Sequence, residues 1–576
     1  MKLTYVAIFF AVWAGISWIG IYRHRNFEPG SWRSQIWSDK AGYYGYLPAF
    51  FYYGFDPENT PENVNQLAGG GFEAEKVKRS FFFKYTSGVA LLQLPFFACT
   101  HFYCKITGKP TTGFEPIFYK MINISGAFYF CLSLLLLFLL LRNYFARSAI
   151  IAAVFFITAG TNLFYYVIDE AGMSHVYSFF CFAVFWFFLD KYLRKQRFTI
   201  LLAMFIAMWL AVLIRPTNIV LLTVLLFWNC RSRADIKARL LLFVKPERIL
   251  VAVSTFLLVF FPQITYWYYR SGELFVYSYG DESFSNALHP RIFEVLLAPL
   301  NGLIPYSPLI LAAIAGIFIM IRNKVTNGIL MLFLFLFILY ISAAWHCWYF
   351  GCSYGQRSFI EFYAFFCFPL AFLLEKLFSS KMRWLRSGVL ALMLIVTFFS
   401  LRMSWAFGDC FPGSTWSWYD YRNLTQQAGI PFSGNTTFTY LNDYESDLLY
   451  FREMTDSVAF SGTHSAMVPE YIQSTELLTI NGNDNLNFEG KEITLSVKYL
   501  TDNRFTSSGN AGLSLYWSNQ FLGKAAFSEN SGNEWQSLSI RYESDLMINL
   551  REKIVVTVSN PGPYPVFIDD VAIRVR

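Results

Sequence analysis

Uncharged stretches of about 20 residues, each enough to cross roughly 30 Å of hydrocarbon, recur from residue 3 to about residue 407 and then stop. The chain is 55% hydrophobic and 20% aromatic but only 15% charged, more apolar than a soluble fold of its length carries. Both observations predict a multi-pass membrane protein with a polar C-terminal region. Residues 3–22 sit where a signal peptide would, but no small-residue cleavage site follows them and more apolar segments do, so they read as a retained first span. The net charge of +7 comes mostly from short loops between apolar segments, a pattern of topology that argues against a nucleic-acid partner.

Candidate spans fall at roughly 3–22, 116–141, 148–168, 172–189, 198–214, 216–229, 249–269, 303–321, 325–344, 358–375 and 387–407, with 86–104 as one further candidate. The basic loops are Arg142/Arg147, Lys191/Arg194/Lys195/Arg197, Arg231 to Arg248, Arg322/Lys324 and Lys376 to Arg386. If 86–104 does not cross, all of them share one side, which the positive-inside rule makes cytoplasmic. We therefore lay 86–104, interrupted by Gln93 and Pro95, at the outer interface. Arg23 and Arg25 break the rule but open a long loop, where it is weak. The expectation is about eleven spans plus juxtamembrane helices, with the N-terminus inside and the C-terminal region outside. Of the nine cysteines none lies beyond Cys410, so the C-terminal region has no disulfide framework; Cys347 and Cys352 read either as two packed thiols or as a pair on an oxidising face.

This count turns several polar clusters in aromatic surroundings outward. Asp39 heads the run "SDKAGYYGYLPAFFYYGF", which suits an interface. Its carboxylate is placed to take a proton from an attacking hydroxyl or to hold a divalent cation; the alternative is an N-cap for the helix starting near Lys40. At the corner "YYVIDEAGMSHVYSFF", Asp169, Glu170 and His175 are candidates for acceptor or metal binding, against a satisfied interfacial histidine. Asp281 and Glu282, in the long loop 270–309, and His346, in "WHCWYFGCSYGQRSF", belong to the same class. Arg215, in "LIRPTN", stands between two apolar stretches where Pro216 breaks the helix, and needs an anion such as a phosphate. Arg357 repeats that situation, with Glu361 one helical turn later as an ion-pair alternative.

From about residue 433 the pattern changes to short alternating runs such as "EITLSVKYL", "GLSLYWS", "QSLSIRY", "KIVVTVSN" and "PVFIDDVAIRV", which predict an antiparallel β-sandwich. This divides the chain into a transmembrane region 1–407, an interfacial linker 408–432 rich in Gly, Pro and aromatics, and an outer sandwich 433–576. The runs "DYESD", "FSGTHSAMV" and "FIDDVAIRV" resemble the jelly-roll pattern of carbohydrate-binding modules. That resemblance implies a structural calcium ion shared by Glu445 and Asp569 or Asp570, against a solvated acidic turn. Trp517 and Trp535 stand as sugar-stacking candidates or as core.

In its order of pieces the first 400 or so residues resemble the GT-C superfamily of polytopic glycosyltransferases, which includes protein O-mannosyltransferases and lipid A aminoarabinose transferases. The resemblance rests on one span followed by an outer loop with Asp39 before an aromatic juxtamembrane helix. It continues through the corner "EAGMSHVYSFF", the "RPTN" break, and the W-x-x-W-x-x-G-x-x-x-G-x-R run from Trp345 to Arg357. The segments "SYGDESF", "GLIPYSPL" and "GQRSFIEFY" are similar to bacterial proteins known only as glycosyltransferase-like. The resemblance implies a sugar donor on a polyprenyl phosphate, an acceptor hydroxyl on a lipid, glycan or protein at the outer face of a bacterial inner membrane, and inversion at the anomeric carbon. It gives Asp39 the place of general base or ligand of an active-site divalent cation, and Lys84, in "FFFKY", the place of a basic residue before the juxtamembrane helix; Lys84, Arg215 and Arg357 then hold the donor phosphate. Two departures from the family pattern are Lys40 where a second loop acid is common, and Ser174 or His175 where an acid commonly begins the span. The rival classes are a flippase or transporter, which needs polar residues along a spanning path, and a non-catalytic glycan-binding assembly protein.

Overall fold

The computed structural model describes the chain except for residues 1–2, 27–29, 32, 76–79, 110, 281, 409–415, 417, 430–437, 443–453, 456–464, 469–471, 481–488, 502–510, 518–519, 529–533, 550–553, 562–563 and 576. It forms two compact units, Met1–Trp405 and Ala406–Arg576. Among the described residues of the first, six helices are long and apolar enough to cross a membrane: Tyr5–Arg23, Gly88–Ile106, Pro116–Leu141, Ser174–Lys195, Pro246–Ser271 and Arg383–Ala406. Five shorter apolar helices accompany them, Arg147–Ala159, Phe198–Ile214, Pro216–Phe227, Ile310–Arg322 and Gly328–Ala344. The protein is a polytopic helical membrane protein with a C-terminal β domain.

The basic loops converge on one end of the helical unit. Tyr144 and Asn143 both donate to Asp190, which Arg194 pairs at 3.1 Å. Asn229 donates to Tyr144 and exchanges hydrogen bonds with Asn327, Arg248 reaches Gln196, and Arg231 reaches Thr326. Asp39 lies at the opposite end. The helix Gly88–Ile106 is long enough to cross, yet both its ends meet the Asp39 end of the bundle. Near its start Thr86 donates to Leu213, at the close of Phe198–Ile214, and Ser87 donates to Gln263. Farther along, Phe97 packs on Phe118, near the start of Pro116–Leu141, and His101 bonds Tyr52.

Hydropathy hides several breaks in the expected spans. Residues 148–168 form two helices, Arg147–Ala159 and Leu163–Ile168; 303–321 form Leu303–Tyr306 and Ile310–Arg322; and 358–375 begin as a 3-10 turn, Arg357–Phe359, before Tyr363–Phe378. Backbone groups freed inside a bundle must find other partners. Here the breaks satisfy one another: Asn162 donates its backbone N–H to Ser307 Oγ and its side chain to Tyr354 O, and accepts from Tyr363.

The second unit carries two antiparallel sheets. In one, Glu489–Thr501 lies between Gln536–Asn549 and Val566–Val575, and the last of these also pairs Phe438–Asn442. In the other, Ile554–Asn560 lies between Ile472–Ile480 and Gly512–Trp517. Ile493, Leu495, Val497 and Tyr499 alternate inward and pack with Leu513, Leu515, Val556, Val558 and Ile568. The alternation expected from the sequence thus builds a sandwich core. Trp517 packs against that core and Trp535 is half-buried. Asp569 is buried at a bulge, where its carboxylate accepts the N–H of Asp570 at 2.8 Å; Glu445 lies outside the described residues.

In the helical unit, the backbone beneath Asp39 is fitted to a run of glycines. Ser38 N–H and Gly71 N–H both donate to Ala68 O, Gly69 sits at φ +53 against Trp37, and a Cβ on Gly71 would stand 1.9 Å from Ser38 O and 2.7 Å from Gly42 N. The last clash is with backbone and cannot be relieved by a rotamer. Gly71→Ala should therefore destabilise the folded protein by about 1–3 kcal/mol. It should lower the melting temperature in detergent, whereas Gly388→Ala, in open space on a helix, should not.

Candidate active site

Asp39 is the first residue of a short helix, Asp39–Tyr44, and the N-cap position before it is held by Ser38. Oδ2 pairs with Arg357 Nη2 at 3.0 Å and Oδ1 accepts from Tyr85 O–H at 2.5 Å. The capping alternative is thereby replaced by a tertiary role. Tyr85 is held in turn by its neighbours: it follows the strand Ser80–Phe83, which Tyr266 anchors by donating to Phe81 O, and its ring stacks on Tyr43 at 4.4 Å. Arg357 follows the segment that Asn162 and Tyr166 fix through Tyr354 O and Ser353 Oγ.

The other charges form pairs at this same end. Lys84 reaches Glu282 at 2.5 Å, and the ring of Tyr279 lies 6.0 Å from that of Tyr85. Arg215, at the end of Phe198–Ile214, lies 3.3 Å from Glu361 Oε1 and 3.1 Å from His175 Nδ1, and His175 lies 3.2 Å from Glu361 Oε2. Lys40 pairs Glu170 at 3.1 Å and Arg23 pairs Asp169 at 2.7 Å. Gln35 ties the two corners together, donating to Asp169 O and accepting from Gly172 N–H. Asp39, Arg215 and Glu282 all act electrostatically on Tyr279, so these pairs belong to one site.

The pairings tilt the carboxyls differently. Enclosure by protein pushes the Asp39 carboxyl up, but Arg357, the Tyr85 hydroxyl and Lys84 together hold it below its ordinary value. At Asp169 enclosure wins over Arg23 and lifts the value to about 6; Glu170 is raised for the same reason against Lys40.

The structure brings together Asp39, Arg357, Arg215, Lys84, Glu282 and His175, and sets Asp169 and Glu170 at the neighbouring corner. His346 is exposed, its ring against Trp345, and Asp281 lies outside the described residues. Glu361 does not pair with Arg357 as helical spacing suggests; it serves Arg215 and His175. Tyr85, Tyr43 and Tyr279 did not stand out in the sequence, although Tyr85 follows Lys84 directly. Cys352 is disulfide-bonded while Cys347 is free, so these two do not pair with each other.

No family model and none of the curated proteins matches the chain. Among solved structures it is similar to the apo oligosaccharyltransferase of Archaeoglobus fulgidus, at 13% identity over 72% of this chain and 57% of that one, TM-score 0.40. It is also similar to apo ArnT from Cupriavidus metallidurans, at 11% identity over 74% and 72%, TM-score 0.38. A third is the CBM22-1 xylan-binding domain of Xyn10C from Paenibacillus barcinonensis, at 12% identity over 21% of this chain and 79% of that one, TM-score 0.16. The chain spans 57% of the length of the Archaeoglobus protein.

Removing the Tyr85 hydroxyl deletes one hydrogen bond to an ionised carboxylate, worth about 1.5–3 kcal/mol, or about one to two pKa units. Tyr85→Phe should raise the Asp39 value accordingly while leaving the ring stacked on Tyr43. The check is the carboxyl titration of Asp39 followed by infrared difference spectroscopy, with Asp39→Asn marking the band.

Proposed function

We propose that this protein is a glycosyltransferase that moves a sugar from a polyprenyl phosphate to an acceptor hydroxyl, with its site at the Asp39 end of the bundle. The observation that carries the reading is the Asp39–Arg357 pair, a carboxylate and a cation at one mouth with Arg215 and Lys84 beside them. Arginine suits a phosphate because its fork makes two parallel hydrogen bonds to it. A cavity of about 520 Å³ supports a long apolar substituent: it is lined by Tyr46, Phe50, Leu91, Leu94 and Tyr266 and reaches Ser87, three residues from Lys84. The order of motifs that resembles the GT-C superfamily supports the same reading.

In this reading Arg357 has two anions to serve. Donor phosphate drawing Arg357 away from Asp39 leaves the enclosure of that carboxyl opposed only by the Tyr85 hydroxyl and Lys84, so its pKa rises and it becomes a better base. The acceptor oxygen then attacks the anomeric carbon, its proton passes to Asp39, the bond from that carbon to the phosphate oxygen breaks, and the charge left on the polyprenyl phosphate rests on Arg215 and Arg357. The step is written without the divalent cation that the resemblance implies; each described carboxylate of the site faces a basic side chain.

A transporter of a charged cargo needs charged groups along its path. Among the described residues the buried charged side chains of the helical unit are Lys40, His175 and Glu361 at the Asp39 end and Asp190 and Arg248 at the basic end, a division that favours a site at one end over a charged path across the bundle. The disulfide at Cys352 favours an oxidising compartment on the Asp39 side, and the basic loops favour the cytoplasm on the other. We read the β domain as presenting an acceptor or glycan, with a structural calcium at Asp569 as part of that proposal.

Purified protein given labelled polyprenyl-phosphate sugars should transfer sugar, and Asp39→Asn should lower turnover by about 10²–10⁴-fold at normal protein level. Arg357→Lys should keep the charge, lose the fork, and weaken donor binding by roughly tenfold. Wild-type turnover in Asp39→Asn would remove the base assignment, and no transfer from any donor would remove the enzyme reading.

A further inference from the structure

The basic end holds a second cavity, of about 1110 Å³, far along the bundle from Asp39. Three cations line it, Arg231 and Arg233 at the start of the helix Arg233–Phe243 and Lys324 in the turn between Ile310–Arg322 and Gly328–Ala344; no Asp or Glu does. Asp235, the nearest acid along the chain, spends its carboxylate on the N–H groups of Arg231 and Ser232 in a capping box. Among the described residues none of the three cations has a carboxylate partner. Below them the wall becomes apolar through Phe227, Ile236 and Phe333, and Phe227 and Phe333 remain exposed on the flank of the bundle.

We propose that this cavity binds an anionic diacyl phospholipid of the leaflet at the basic end. The phosphate meets Arg231, Arg233 and Lys324, and the acyl chains follow Phe227 and Phe333. Two features of the cavity choose this occupant over a soluble anion. Three cations without a counter-ion call for negative charge, and the apolar strip leading from them along a lipid-facing flank calls for chains attached to that charge.

Native mass spectrometry of the whole protein in detergent, titrated with phosphatidylglycerol or with phosphatidylethanolamine, tests this directly. The wild type should retain the anionic lipid at least about tenfold more strongly, and the combined Arg231→Gln, Arg233→Gln and Lys324→Gln variant should lose about a hundredfold, at roughly fivefold per cation. Because these side chains are exposed and none pairs with a carboxylate, Arg231 making one exposed hydrogen bond to Thr326, the lipid-free melting temperature of the variant should stay close to the wild type, while phosphatidylglycerol should raise only that of the wild type. Equal retention of the two lipids, or unchanged retention by the variant, overturns the proposal. Displacement of the lipid by millimolar inorganic phosphate would mark a free-anion site and overturn the lipid assignment.

Discussion

Asp39 and Arg357, 318 residues apart in the chain, meet through one ion pair, and the geometry of the candidate site follows from that meeting. A charge near the edge of a low-dielectric bundle is costly until another charge or a set of hydrogen bonds answers it. The first loop and the segment before Tyr363–Phe378 answer each other. Around them the same rule produces Lys40 with Glu170, Arg23 with Asp169, and Arg215 with Glu361, each joining segments distant in sequence. No single helix contains the site; it is the place where several loops neutralise one another.

Such convergence needs helices that stop at the right depth. The breaks at Gly160–Asn162 and Ser307–Leu309 let chain segments enter from the side, and the side chain of Asn162 is the common partner that makes the exposed backbone tolerable. Tyr354 and Ser353, held by Asn162 and Tyr166, then set where Arg357 begins. The glycines at 69 and 71 do the corresponding work under Asp39: Gly69 leaves room for the Trp37 ring, and Gly71 lets backbone approach backbone where a methyl group would collide.

That the loops carrying Lys and Arg share one end was legible in the sequence, and those loops do gather there. The β strands were legible because alternation survives in short runs. The breaks were not: an averaged hydropathy treats 148–168 as one block, although Gly160, Thr161 and Asn162 interrupt it. Pairings were less legible still. The spacing of Arg357 and Glu361 suggested an ion pair one turn apart, but the chain there is a 3-10 turn and the helix begins only at Tyr363, so the geometry behind that rule is absent. Tyr85 is one of 36 tyrosines, and only its place beside Asp39 in space distinguishes it.

The pairing of Asp39 with Arg357 also bears on the order of events. A carboxylate held below its ordinary value is a poor base, so in the resting arrangement Asp39 is not ready to take a proton. In the proposed reading a phosphate competing for Arg357 would change this, because Arg357 is the main cation that holds Asp39 down. Base strength would then depend on occupancy of the donor position, and water entering an empty site would meet a carboxylate that is charged yet weakly basic. A lysine in place of Arg357 could neutralise Asp39 equally well, but a compact ammonium has no planar fork with which to trade its one contact on Asp39 for two parallel contacts on a phosphate. The identity of this cation therefore bears on whether the carboxylate is switched, in addition to how tightly a donor is held.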